Sequence, residues 1–192
     1  MRTLIYMDTG GSGALAWRGY DGVVGVVDLP VIVIEFANGN KKTEVESNDL
    51  SNLIEGIRDG GPATLGVEAL PGTSKGSVWS AMLQGANFGR CETVARLTPN
   101  SITETHRAVD VRAALGITVK VEKAGKKATS KEKAAAKVRR KETACAYAAE
   151  RFPHLRDQIY PPAGGRKKKP YDGRADALCG LAYLIDREER EG

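Results

Sequence analysis

The sequence predicts a mixed α/β fold in which helices cover a sheet. Three observations carry that expectation. The first 45 residues read almost wholly as β structure. A lone short strand, Thr64–Glu68, follows the first helix signal instead of another hairpin. The last strongly patterned segment, Ala175–Asp186, is apolar nearly all round, which argues for a helix buried against that sheet. At 192 residues the chain suits one domain, and 41% hydrophobic content supplies a core.

Each element has its own local signal. Thr3–Asp8, Ala14–Arg18, Val23–Asp28 and Val31–Ala37 are β-branched or aromatic runs separated by Gly, Asp and Pro, and Asn38-Gly39-Asn40 is a hairpin signal. Asn48 or Asp49 is placed to cap a helix whose apolar positions are Leu50, Leu53, Ile54 and Ile57. Gly60-Gly61-Pro62 ends it. After the Gly-rich stretch Pro71–Gly76, Ser77 is placed to cap a helix reaching Gly89 or beyond. Gly85 and Gly89 share one face of it, a pairing that implies close approach of another backbone. Residues 101–115 are expected to be helical, Ile117–Val121 a strand, and 130–152 a helix ended by Phe152-Pro153. "PPAGGRKKKP", residues 161–170, is a loop. Trp17 and Trp79 lie in apolar patterns and are expected in or near the core; His106 and His154 stand alone and are expected to be surface or satisfied groups.

Charge is unevenly spread. Residues 120–141 hold ten Lys or Arg and two Glu, a net of +8 in a chain of net +5. Arg166–Lys169 forms a second basic run inside the loop at 161–170. The pattern fits a polyanion, nucleic acid first; a solvated basic loop fits the same charge. Cys91, Cys145 and Cys179 are odd in number and lack paired metal-ligand spacing, so reduced thiols and an intracellular, cytoplasmic location are expected. No run approaches the roughly 20 apolar residues of a membrane span. The N-terminus reads as a strand and not as a secretory segment.

Three acidic sites sit against apolar sequence: Asp8 and Glu68 each end a strand, and Asp172 with Asp176 opens the final helix. Each has a plain reading as well. Asp8 and Asp172 precede glycine and could be turn formers, Asp172 could cap its helix, and Glu68 could be a surface strand end. Carboxylates crowded together raise one another's pKa, so gathering them is unprofitable unless a cation neutralises them. Oxygen-only donors suit Mg²⁺ or Mn²⁺, and two such ions about 4 Å apart can flank a phosphodiester.

The ordered set "MDTGGSGALAW", "LGVEALPG", "GSVWSAMLQGANFGR" and "KPYDGRADALCGLAYLI" resembles the RuvC-type Holliday-junction resolvases, most of all their phage-type and related branch. The resemblance spans nearly the whole chain. It implies an RNase H-like fold, with a mixed five-stranded β-sheet flanked by α-helices. It implies a homodimer, the Gly85/Gly89 helix being a plausible contact, and a four-way DNA junction as substrate. Symmetric nicking would leave 5′-phosphate and 3′-hydroxyl ends. Asp8, Glu68, Asp172 and Asp176 would be the catalytic groups and would hold two Mg²⁺ or Mn²⁺ ions. Lys126, Lys127, Lys131, Lys133, Arg139, Arg140 and Lys141, with Lys167 and Lys168 downstream, would contact DNA.

The likeness has departures. The bacterial branch spaces its last two acids three apart; here they are four apart, and Gly173 stands at the three-apart position, which makes Asp172 the least certain ligand. Pro71 stands where that branch has a base-stacking aromatic. Residues 97–115 look longer than the family's usual connection. Other readings stay open. Asp followed by Gly-Gly-Ser-Gly also resembles the first phosphate loop of actin-like ATP-binding proteins. Another RNase H-like nuclease, acting on DNA ends or RNA–DNA hybrids, and a non-catalytic junction-binding module are further alternatives.

Overall fold

The computed structural model describes residues 2–10, 12–37, 39, 41–70, 78–117, 130–161 and 170–192. The first half begins with β1 (Thr3–Asp8), β2 (Ala14–Arg18), β3 (Val24–Asp28), β4 (Val31–Glu35) and β5 (Lys41–Val45). Helix α1 (Ser47–Arg58), β6 (Ala63–Ala69) and α2 (Val78–Leu97) follow. The second half holds β7 (Ser101–Arg107), α3 (Ala108–Ala114), α4 (Ser130–Arg151), a 3₁₀ turn at Pro153–Leu155, α5 (Arg156–Ile159) and α6 (Asp172–Glu191).

Five strands form one mixed sheet in the order β3-β2-β1-β6-β7. Its first three strands are an antiparallel meander, with Asp8 opposite Ala14 and Ala14 opposite Asp28. Beyond β1 the sheet turns parallel: Met7 pairs with Val67, and Glu68 with His106. A parallel pair needs a long crossover; α1 and α2 lie in the two that connect to β6 and β7. The Asn38–Asn40 turn signal holds, since β4 and β5 pair as a separate two-stranded hairpin with Glu35 opposite Lys41.

Strand alternation divides the core in two. Ile5, Met7, Leu15, Leu65 and Val67 pack with Leu50 and Ile54 of α1 and Cys91 and Val94 of α2. Leu4, Tyr6, Ala14, Ala16 and Val26 face the other way, onto Ala177, Leu178, Leu181 and Leu184 of α6. Helix α4 then covers α6 through Ala144, Cys145 and Ala148. The all-round apolar character of the last helix thus has its cause: α6 lies between the sheet and α4. All three thiols are free and buried. No helix among the described residues is long and apolar enough to cross a membrane.

Several expectations are corrected. Residues 101–107 form the edge strand β7, and only 108–114 are helical. Ile102, Thr103 and Thr105 are β-branched, and the parallel ladder to β6 decides their conformation. The α1 cap is Glu46, whose carboxylate accepts from the Asp49 N–H, and not Asn48 or Asp49. Asp59, in the left-handed region at φ 46°, ends α1 just before the glycines. Trp79 is 53% exposed, resting on Phe36 with Lys42 over its ring, while Trp17 packs against the core. Of the expected strand at 117–121 only Ile117 is described, buried and outside any strand; the rest of it, the loop at 71–76, the Ser77 cap and most of the loop at 161–170 lie outside the described residues.

Candidate active site

Period-two alternation puts Asp8 on the α6 face, two residues past Tyr6, and Glu68 on the same face of the neighbouring strand. They stand one step beyond the Met7–Val67 pair, so the parallel register brings the two strand-end acids side by side. The Thr9 hydroxyl ties the chain after β1 to the Glu68 carbonyl at 3.2 Å. The first turn of α6 completes the group with Asp172 and, one turn on, Asp176.

The opening glycines build a tight turn between β1 and β2. The Gly13 N–H donates to the Gly10 carbonyl at 3.0 Å, and the Gly10 N–H donates to Asp8 Oδ1 at 2.9 Å. A Cβ on Gly13 would lie 2.2 Å from the Asp8 carbonyl. Gly173 is equally constrained: a Cβ there would lie 1.9 Å from the Ser12 carbonyl and 3.4 Å from Asp8 Oδ2. Helix α6 therefore enters directly against the Asp8 turn, and no side chain, acidic or other, fits at position 173. Arg174 fixes the entry from outside with a two-pronged pair to Asp28 at 2.7 and 2.9 Å, its guanidinium over the Tyr171 ring.

The electrostatics show which acids face one another. Burial pushes the Asp8 carboxyl up to about 7, and the Asp176 charge pushes the same way. Burial pushes Glu68 up to about 8, reinforced by Asp8 and then Asp176. Tyr6 lies beneath them; its phenol is raised first by burial and then by Glu68, Asp8 and Asp176. Its hydroxyl is buried, with no hydrogen-bond partner among the described residues. Asp8, Glu68 and Asp176 thus act on one another and on one shared neighbour.

Asp172 is more peripheral. It pairs with Lys141 of α4 at the rim. Arg112 of α3 donates from Nη2 to Asp176 Oδ1 at 3.2 Å. Burial opposes the Arg112 charge, but Asp176 and then Glu68 outweigh it and hold the guanidinium above its usual range. Arg112 was no candidate in the sequence. It lies inside 97–115, whose role had no local signal; β7 and α3 carry it to the acids. No group of three or more His, Cys, Asp or Glu side chains among the described residues is arranged to hold a metal ion.

The basic candidates separate. Arg140 and Lys141 lie on α4 beside the acids, with Arg112 and Lys137 close by. Arg139 is exposed on the same helix but does not line that cavity. Lys131 and Lys133 fall in the first turn of α4. Lys126, Lys127, Lys167 and Lys168 lie outside the described residues. His106 is a satisfied group: its Nε2 lies 3.1 Å from Glu104 Oε2, and its ring contacts Tyr6 and Tyr183. His154 is exposed in the 3₁₀ turn. Compared with protein-family models and with curated proteins, the chain matches none.

Proposed function

We propose that this chain is a metal-dependent endonuclease of the RuvC type, RNase H-like in fold, that nicks four-way DNA junctions symmetrically to leave 5′-phosphate and 3′-hydroxyl ends. The observation that carries this reading is the convergence of Asp8, Glu68 and Asp176 from two parallel strands and a buried helix, with the first two held up to about 7 and about 8. A fold has no use for three mutually repelling acids at one end of its sheet. The mixed five-stranded sheet is the kind the resemblance implies.

The donor chemistry fits a hard divalent cation. Every candidate ligand is a carboxylate oxygen, and the orphaned Tyr6 hydroxyl lies below them. Asp8, Glu68 and Asp176 would hold Mg²⁺ or Mn²⁺, with Asp172 reaching in from the rim. Such ions supply a water activated toward the phosphodiester and stabilise the leaving oxygen. The chain's own groups do the positioning. The Gly10 N–H orients Asp8, Arg112 orients Asp176, and Lys141 holds Asp172 while offering a cation to a backbone phosphate.

The opening loop supports a metal-bearing strand end over a nucleotide cradle. The Gly10 N–H is spent on Asp8, and α6 packs on the Ser12 carbonyl of the same turn. A homodimer is part of the proposal. Among the described residues, nothing lies within 4 Å of a Cβ placed on Gly85 or Gly89, and Val78, Trp79 and Met82 of the same helix are exposed. Such a bare, small-residue face suits a second copy of α2. The test is a panel of synthetic four-way junction, linear duplex, flap and RNA–DNA hybrid, with and without Mg²⁺, alongside an ATP-turnover assay. The reading expects paired, Mg²⁺-dependent nicks in the junction. Preferred cutting of ends or hybrids would favour another RNase H-like nuclease, and ATP turnover without cleavage would overturn the reading.

A further inference from the structure

The elements around Tyr6 are shaped to seat its ring. The side chain is fully buried, and two glycines make room for it. Gly66 is its partner across the β1–β6 ladder, and a Cβ there would lie 2.6 Å from ring carbon Cδ2. Gly180 lies one turn past Asp176 on α6, and a Cβ there would lie 2.1 Å from Cδ1 and Cε1, on the other edge of the ring. Glycine inside a helix or a strand destabilises it. The ring also stacks beside His106, centroids 6.2 Å apart, and His106 is the β7 residue opposite Glu68. The phenol is thus held in one place between sheet and helix. Its oxygen has no hydrogen-bond partner among the described residues. A buried hydroxyl without a partner costs stability, and phenylalanine would fill the same space without that cost. Packing accounts for the ring and leaves the oxygen unexplained.

The acids above it supply the complement. Asp8 accepts from the Gly10 N–H, Asp176 from Arg112 and Asp172 from Lys141. Glu68 is the one of the four whose carboxylate accepts no hydrogen bond among the described residues; the Thr9 hydroxyl goes to its backbone carbonyl instead. Glu68 is also the charge that acts most strongly on the Tyr6 hydroxyl, ahead of Asp8 and Asp176. An orphaned donor therefore lies beneath an orphaned acceptor. We infer that Tyr6 is a positioning residue of the site: when a divalent cation is bound, its hydroxyl donates to the Glu68 carboxylate and orients that ligand. Carboxylates that bind a metal are themselves hydrogen-bonded, and such outer donors fix the direction of the ligand. Tyr6 would do for Glu68 what Gly10 and Arg112 do for Asp8 and Asp176. The inference rests on the cation site of the proposed reading and not on its substrate.

The test is calorimetric titration of the full chain with Mn²⁺, without nucleic acid, beside thermal melts in EDTA. Tyr6→Phe removes the oxygen and keeps the ring. It should raise the Mn²⁺ dissociation constant about tenfold. In EDTA it should melt at or above the parent, because an unsatisfied buried group has been removed. A hydroxyl with a merely structural role would give the reverse: a lower melt and unchanged affinity. Tyr183→Phe, the same change on the other tyrosine that touches His106, should leave Mn²⁺ affinity as it was. Unchanged affinity in Tyr6→Phe, or an equal loss in Tyr183→Phe, would overturn the assignment. So would a Tyr6→Phe that melts below the parent in EDTA, since the hydroxyl would then already have a structural partner such as a buried water. A parent chain that binds no Mn²⁺ would overturn the cation site and this inference together. Failure of the nuclease reading alone looks different: Mn²⁺ binds and Tyr6→Phe weakens it, but no junction is nicked.

Discussion

The two ends of α6 carry the same kinds of residue and treat them in opposite ways. Toward its C-terminus Glu104, Asp186 and Glu188 are each paired with a cation. Arg187 donates to Glu104 at 2.8 Å, His106 lies against the same carboxylate, and Arg18 pairs with Glu188. Burial pushes Glu104 up, but Arg187 and His106 outweigh it and hold it below the ordinary carboxylate value. At the N-terminal end, Asp8, Glu68 and Asp176 are gathered: Arg112 pairs with Asp176, and neither its charge nor that of Lys141 offsets the burial and mutual repulsion that raise Asp8 and Glu68. Both ends face the same layer of the core, so packing alone does not explain the difference. Paired acids are ordinary architecture. On the proposed reading, acids left crowded mark a site for a cation from outside.

The largest effect that tests this contrast is on cleavage. Asp8→Asn, or Glu68→Gln, should lower junction nicking by about a thousandfold or more while leaving junction binding in place. Retained nicking by either variant breaks the comparison, because the crowded end would then be inert. Asp176→Asn should match them. Asp172→Asn should cost clearly less, since Asp172 stands at the rim on Lys141; equal losses would place it among the inner ligands.

The next effect is on stability, and its sign differs between the ends. Asp8 and Glu68 have folded values raised to about 7 and about 8, above their ordinary 3.8 and 4.5. Between those limits the folded chain binds more protons than the unfolded one. Without a divalent cation, stability therefore falls as pH rises through this window, by on the order of a few kcal/mol. Melts in EDTA should show the fall, Mg²⁺ should reverse it most at the alkaline end, and Asp8→Asn should melt above the parent there. Glu104 works the other way: its lowered value contributes stability above the ordinary 4.5 that is lost as pH falls. The smallest effect is at the paired end. Glu104→Gln should cost about 1 kcal/mol, read by denaturant unfolding, with nicking unchanged. A loss of nicking there would mean that the two ends are not separate.

Much of this was legible in the chain. The β1–β2 hairpin, β6 and α6 follow from local apolar runs bounded by Gly and Asp, and alternation alone puts Asp8 on the face of Tyr6. What stayed hidden depends on tertiary partners. Ser101–Arg107 has too few apolar residues to announce a strand, and only the ladder to β6 makes it one. Arg112 is one of many arginines until β7 and α3 carry it to Asp176. Trp79 sits in an apolar pattern but meets Phe36 and Lys42 at the β4–β5 hairpin instead of the core, so it stays half exposed. The meaning of Gly173 was hidden too, because it lies in the Ser12 carbonyl pressed against it.

On the proposed reading, Asp8 and Glu68, held up to about 7 and about 8, are the groups from which a bound cation displaces protons. The most direct measurement is proton release on titrating the metal-free protein with Mg²⁺ or Mn²⁺ near neutral pH, by calorimetry in buffers of different ionisation enthalpy. Binding should release about one proton or more per chain, and Asp8→Asn should abolish or sharply reduce the release. Binding with no proton release, or release unaffected by Asp8→Asn, would contradict the account.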